Sequence, residues 1–259
     1  KKAYDLLIQS EAAFLSITGT KDEPCKAGNS IADIAAGMYA YTGILSALLQ
    51  RSLTGEGSHV EVSMLEALAE WMGFPMYYAY DGQQPPGRNG AAHATIYPYG
   101  PFTAGDGKVV MLGLQNEREW KLFCDVVLRR PELAADPRFD ANVRRTENRA
   151  ALKETIEQTF ASLTAQEVIA RLDEAQIANA AVNQVGDLWA HPQLHARQRF
   201  RPIGSPEGEL QALLPPATVG SFDARMDPVP ALGEHSEAIL RGLGRSAADI
   251  EQLRAAGVI

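Results

Sequence analysis

One carboxylate, Glu66, stands where the residue pattern changes period. In "GSHVEVSMLEALAEWM", residues 57–72, Val60 and Val62 alternate with His59, Glu61 and Ser63, a strand pattern. Leu65, Leu68, Ala69 and Met72 then recur at helical spacing. The switch puts Glu66 in the first turn of a helix, just past the end of an expected strand. Two readings follow. A first-turn carboxylate complements the helix dipole and stabilises it by roughly 0.3–1 kcal/mol. The same carboxylate is also a candidate nucleophile, at the strand end where open α/β sheets put their ligands. The residues alone leave both open.

The other chemistry-bearing residues are scattered. His93 lies in a segment dense in Gly and Pro and is a candidate ligand or acid–base contact. Lys2, Tyr4 and Arg88 are candidate ligand contacts; the alternative is solvated charge for the cations and a satisfied core phenol for Tyr4. His191 and His195 are four apart, as helical metal ligands can be, but Pro192 follows the first and no third ligand is suitably spaced. No G-x-S-x-G, G-x-G-x-x-G, P-loop or H-E-x-x-H occurs.

The elements that must position these residues are legible from periodicity. Residues 4–17 read as an amphipathic helix and 19–28 as a polar loop. Residues 30–51 form a strong helix with a small-residue face: Ala32, Ala35, Ala36, Gly37, Ala40 and Gly43. After the strand–helix unit, 81–97 reads as a linker or active-site loop. "TAGDGKVVMLGL" predicts a hairpin turning at Gly105-Asp106-Gly107. Helices follow from Glu117, over 148–163, and from Thr164, which sits with Glu167 in capping-box spacing. A short apolar strand then leads to a helix start near His191, residues 200–230 read as extended, and two short helices close the chain. The expected organisation is a large-domain segment over 1–80, the linker 81–97, a small α+β domain over 98–190, a return linker over 191–225, and C-terminal helices over 226–259. The class is α/β.

Composition excludes some roles. The chain has 259 residues, 46% of them hydrophobic, ample for one sizeable core or two smaller ones. Lys and Arg number 24 against 32 Asp and Glu, a net charge of −8, and no basic stripe carries interleaved aromatics, so nucleic acid is not an expected partner. Cys25 and Cys124 have no metal-type spacing and read as reduced thiols of a cytoplasmic protein. No apolar run approaching ~18 residues is seen, so no membrane span is expected. The chain opens with two lysines, lacks a signal-peptide pattern and enters a helix almost at once, as if in mid-domain.

Taken in order, "KAYDLLIQSEAAFLSITG", "IADIAAGMYAYTGILSALLQR", "GEGSHVEVSMLEAL", "YPYGPFTAGDGKVVMLGL", "RPELAADPRF" with "NRAAL", "AQIANAAVNQVGDLWAHPQL" and "LGEHSEAILRGLG" with "IEQLRAAGVI" resemble the class III CoA-transferases, the family of formyl-CoA and carnitine-CoA transferases and α-methylacyl-CoA racemases. The resemblance covers essentially the whole chain. It implies part of a Rossmann-like large domain plus a smaller α+β domain, an N-terminal portion that this chain lacks, and an interlocked homodimer. It makes Glu66 the counterpart of the family's nucleophilic aspartate. That is a departure, since the extra methylene moves the carboxylate by about 1.5 Å. Lys2 and Tyr4 match a Lys-x-Tyr pair near the CoA. The racemases' acid–base His falls on Tyr4 and their Asp roughly on Asp33; a phenol is a poor proton shuttle at neutral pH, so transferase ranks ahead of racemase. "HATIYPYGPF" and "GLQNEREW" look most like the branch acting on C4–C5 dicarboxylates such as itaconate, mesaconate, citramalate or malate, with succinyl-CoA as donor. Arg88 and His93 are then the candidate clamp for the spare carboxylate. The resemblance implies coenzyme A as co-substrate, no metal and no nucleoside triphosphate. A non-catalytic CoA-binding partner protein is the other alternative.

Overall fold

The computed structural model describes residues 2–85 and 87–259. They fall into two units, Lys1–Val182 and Asn183–Ile259.

The first unit opens with helix α1, Asp5–Glu11. The expected helix over 4–17 breaks at Ala13, which is left-handed (φ 60°), and resumes as a 3-10 turn, Phe14–Ser16. The break lets Phe14 fold back onto a buried cluster of Ile8, Ala32 and Leu68. Helix α2, Ile31–Thr54, ends at Gly55, whose φ of 80° suits the left-handed C-cap only glycine adopts freely. Ser30 at its N-cap makes no side-chain bond. The cap comes instead from Asp5, whose Oδ1 accepts from the Ala32 N–H at 2.8 Å. Asp5 Oδ2 accepts from Gln9 Nε2 (2.7 Å), and the fully buried Gln9 accepts from the Ala27 N–H (2.9 Å). This chain of bonds ties α1 to the start of α2.

The small-residue face of α2 is used at Ala32 and Ala35, both fully buried, and at Gly43, where an added Cβ would lie 2.9 Å from Val60 Cγ1. A side chain at position 43 would therefore force Val60 to shift. Residues 59–62 do not form the expected strand: among the described residues none pairs with them, and the segment leads unpaired into Ser63, which is extended. An alternating pattern makes a strand only when a neighbour completes its hydrogen bonds. Helices α3, Met64–Trp71, and α4, Gly73–Tyr78, follow. By length and composition α2 is the one helix among the described residues long and apolar enough to cross a bilayer. This differs from the sequence reading because Asp33, Gly37, Thr42, Gly43 and Ser46 interrupt the apolar run without making the segment polar overall.

The remainder of the unit builds the larger core. Strands β1, Tyr99–Thr103, and β2, Val109–Gly113, pair antiparallel, with Tyr99 opposite Gly113 and Thr103 opposite Val109. The turn lies at the expected Gly105-Asp106-Gly107. Gly105 is required there, since a Cβ would meet the Ala161 carbonyl oxygen at 2.2 Å. Helix α5, Glu117–Leu122, continues as a π-helical turn over Phe123–Val127. Helices α6, Asn142–Glu147, α7, Arg149–Phe160, and α8, Ala165–Glu174, come next, the last with the predicted Thr164–Glu167 capping box. Strand β3, Ala178–Ala181, completes an antiparallel sheet of order β1-β2-β3. Phe102, Val110 and Leu112 face inward and pack among Trp120, Phe123, Ile156 and Phe160.

The second unit holds a 3-10 turn, Val185–Ala190, and helix α9, Pro192–Ala196. Strands β4, Phe200–Ile203, and β5, Leu210–Leu213, form an antiparallel hairpin. Arg199 clamps its exit by donating to the carbonyls of Leu214 and Pro215. Helices α10, Ser236–Gly242, and α11, Ala247–Ala255, close the chain, joined by an Arg254–Glu237 ion pair.

Candidate active site

Glu66 is the third residue of α3. Ser63 caps that helix in extended backbone geometry, and its Oγ accepts from the Glu66 N–H at 3.1 Å. The same hydroxyl donates to Glu66 Oε2 at 2.7 Å. The side chain is exposed. One carboxylate oxygen is thus held by the cap and Oε1 is left for other chemistry. The cap and the nucleophile are not exclusive: the geometry makes Glu66 part of a cap and leaves an accessible oxygen.

Lys2 and Tyr4 meet one another, the Lys2 ammonium lying 5.4 Å from the centre of the Tyr4 ring. Tyr4 is the N-cap residue of α1 and is 63% exposed, which places its hydroxyl outside the core. Among the described residues no hydrogen bond, ion pair or ring contact joins Glu66 to Lys2, Tyr4, Arg88 or His93. Packing relates the first three nonetheless. Ala3, between Lys2 and Tyr4, and Met64, two residues before Glu66, both rest on the Ile8–Ala32–Leu68 cluster. The start of α1 and the start of α3 therefore share one buried anchor.

Arg88 and His93 occupy different settings in one loop. Arg88 Nε donates to the Thr20 carbonyl (2.9 Å) and Nη2 to that of Lys21 (3.1 Å). Arg88 lines a cavity of about 470 Å³ together with Lys21 and Asn89; His93 does not line it. The His93 ring stacks on Tyr99 at 5.2 Å, and its Nδ1 accepts from the N–H groups of Thr95 (3.2 Å) and Ile96 (3.1 Å). His93 thus shapes the loop through Nδ1, and among the described residues no hydrogen bond engages its Nε2. Sequence reading missed Lys21, 67 residues from Arg88, and the hydroxyl of Ser63. Only the latter left a signal, the S-x-x-E spacing.

Cys124 is fully buried, and desolvation, ahead of nearby charges, pushes its thiol up to about 12, which suits a core residue and not a thiolate nucleophile. His195 Nε2 lies against the Trp189 carbonyl at 2.6 Å, and His191 Nδ1 accepts from the Gln193 N–H at 3.3 Å. Among the described residues no group of three His, Cys, Asp or Glu side chains converges as a metal site would require.

Comparison with known proteins gives the family of the chain. The model of CoA-transferase family III matches residues 1–236, and the chain belongs to that family. It is 28% identical over 247 residues to a succinyl-CoA:mesaconate CoA-transferase of Haloarcula hispanica, covering 93% of this chain and 61% of that protein. It is 28% identical over 244 residues to a succinate–glutarate CoA-transferase of Agrobacterium fabrum, covering 93% and 60%. A crystal structure of a CAIB/BAIF family protein from Brucella suis shares the fold with a TM-score of 0.79 and 31% identity, over 94% of this chain and 63% of that one. The chain spans about 60% of the length of the curated relatives it matches.

Proposed function

We propose that this chain carries the nucleophile of a CoA-transferase that moves CoA from an acyl-CoA to a small dicarboxylate, and that the nucleophile is Glu66. The observation that carries the reading is the shared anchor beneath Ala3 and Met64: the chain neighbours of the exposed Lys2–Tyr4 pair and of Glu66 rest on one buried cluster. The free oxygen of Glu66 attacks the donor thioester carbonyl, and CoA leaves as thiolate, giving a mixed anhydride. The thiolate attacks the glutamyl carbonyl of that anhydride, releasing the donor acid and forming a glutamyl-CoA thioester. The acceptor carboxylate attacks this thioester and expels CoA again. Thiolate then attacks the acceptor's acyl carbon, and the Glu66 carboxylate is regenerated. One thioester is consumed and one is formed, so the net exchange is close to balanced in energy and reversible. Backbone N–H groups at the start of α3 are suited to stabilise the tetrahedral oxyanions, and Lys2 and Tyr4 to contact CoA.

Succinyl-CoA is the proposed donor, and mesaconate, glutarate, citramalate, itaconate or malate the acceptor. The names of the relatives support the dicarboxylate class. The protein is proposed to act in the cytoplasm as a homodimer. The test is chemical trapping. Wild-type protein incubated with succinyl-CoA and hydroxylamine is expected to yield a hydroxamate on Glu66, detected by mass spectrometry, and Glu66→Gln none. Equal transfer by both proteins removes Glu66 from the mechanism and leaves its capping bond to Ser63 as its role.

A further inference from the structure

A cavity of about 470 Å³ opens between Lys21 and Gln84, Pro85, Gly87, Arg88, Asn89, Ala94 and Thr95, with Tyr78 at the end of α4 on its wall. Its polar lining is Lys21, Gln84, Arg88, Asn89, Thr95 and Tyr78, with no Asp or Glu. That contrasts with a chain in which acids outnumber bases 32 to 24. Asp22, next to Lys21, does not line it, and among the described residues neither Lys21 nor Arg88 has an ion-pair partner.

The two walls are bonded together. Gly90 N–H donates to the Gly19 carbonyl at 2.8 Å, and Arg88 donates through Nε and Nη2 to the carbonyls of Thr20 and Lys21. A guanidinium has five N–H groups in a planar fork. The backbone takes the Nε side, which fixes the plane of the fork. The end-on edge, Nη1 with the second Nη2 hydrogen, has no protein partner among the described residues. That edge is the one that meets two oxygens of an oxyanion at once. The Lys21 ammonium supplies a second, mobile positive charge on the adjoining wall.

We propose that Lys21 and Arg88 form the subsite for the second carboxylate of a dicarboxylic acid, and that Lys21 is a specificity-determining residue; this rests on the reading of Glu66 as the nucleophile of a dicarboxylate CoA-transferase. The other source of an oxyanion is the phosphate groups of CoA, which the test separates.

Glutarate and valerate share a five-carbon chain and differ by one carboxylate, so the ratio of their kcat/KM values reads the subsite. Lys21→Met removes the ammonium from an exposed side chain, where the fold does not depend on it. The ratio is expected to fall by about tenfold to a hundredfold, the worth of a charged hydrogen bond, and to recover in Lys21→Arg. Independently of turnover, glutarate and not valerate is expected to raise the melting temperature of the wild type, an effect lost in Lys21→Met. If wild type transfers CoA to no acceptor but this Lys21-dependent stabilisation persists, the subsite stands and the assignment of Glu66 falls. If transfer to glutarate proceeds and Lys21→Met leaves the ratio unchanged, the subsite falls and the assignment survives. If Lys21→Met weakens binding of free CoA and not the discrimination, the cavity holds the donor's phosphates and the proposal is overturned.

Discussion

At the scale of the residue, the question is what a glutamate does where the family resemblance places an aspartate. The Ser63 hydroxyl spans from the Glu66 N–H to its Oε2, so the longer side chain folds back over its own helix terminus. An aspartate at this position is shorter by one methylene and would hold its carboxylate about 1.5 Å closer to the backbone. Misplacement near 1 Å can cost ~10²-fold in rate. Glu66→Asp is therefore expected to lower kcat by about one to two orders of magnitude in a pocket adapted to glutamate, with the far-ultraviolet circular dichroism unchanged. A rise in kcat would show that the pocket suits the shorter side chain. Either outcome is read from single-turnover kinetics with succinyl-CoA.

At the scale of the element, the most heavily hydrogen-bonded charge among the described residues is far from Glu66 in sequence. Arg145, buried on α6, donates to both carboxylate oxygens of Glu117 (2.8 and 2.9 Å), to the carbonyls of Tyr97 (2.9 Å) and Phe139 (3.0 Å), and lies 4.9 Å over Trp120. It fastens the start of α5 to the segment entering β1, the same segment that carries His93. The Arg145 guanidinium holds the Glu117 carboxyl below the usual carboxylate range. Its contribution is thus present above the ordinary carboxylate pKa and lost as pH falls through the lowered folded value. Glu117→Gln is expected to cost about 1–2 kcal/mol at neutral pH, less than a fully buried pair because the Glu117 side chain is half exposed. Urea unfolding at several pH values checks this: the wild type and the variant should converge in acid. A constant gap across the pH range would mean that the amide loses packing and not charge.

At the scale of the molecule, α2 presents more apolar surface than it buries. Ile34, Met38, Tyr41, Leu45 and Leu48 follow one another at alternating spacings of four and three, a single helical stripe, and all are exposed. Trp71, Phe74 and Tyr77 on α3 and α4 are exposed as well. At ~25 cal/mol per Å², leaving ~400 Å² of apolar surface uncovered forgoes about 10 kcal/mol, comparable to the stability of a typical domain. Residues 1–259 on their own are expected to associate. Light scattering coupled to size exclusion should give a mass that rises with concentration, and Met38→Glu with Leu45→Glu should lower it. A monodisperse monomer of the unmodified chain at high concentration would remove the stripe as an interface.

Local chemistry was readable from the sequence wherever its partners lie within a few residues. The Thr164–Glu167 box, the turn at Gly105-Asp106-Gly107 and the helical setting of Glu66 all depend on neighbours along the chain. The order of seven short segments carried family membership as well. The tertiary structure decided what depends on distant partners. The cap of α2 comes from Asp5, 27 residues before Ala32, and not from Ser30 at the helix start. The strand pattern of 59–63 needs a neighbour to become a strand, and none pairs with it among the described residues. Arg88 was visible as a cation, but its two carbonyl acceptors and the Lys21 beside it lie across a loop-to-loop contact. Side-chain periodicity encodes which face of an element is apolar; it carries no record of which backbone groups a fold will set opposite a given guanidinium or carboxylate.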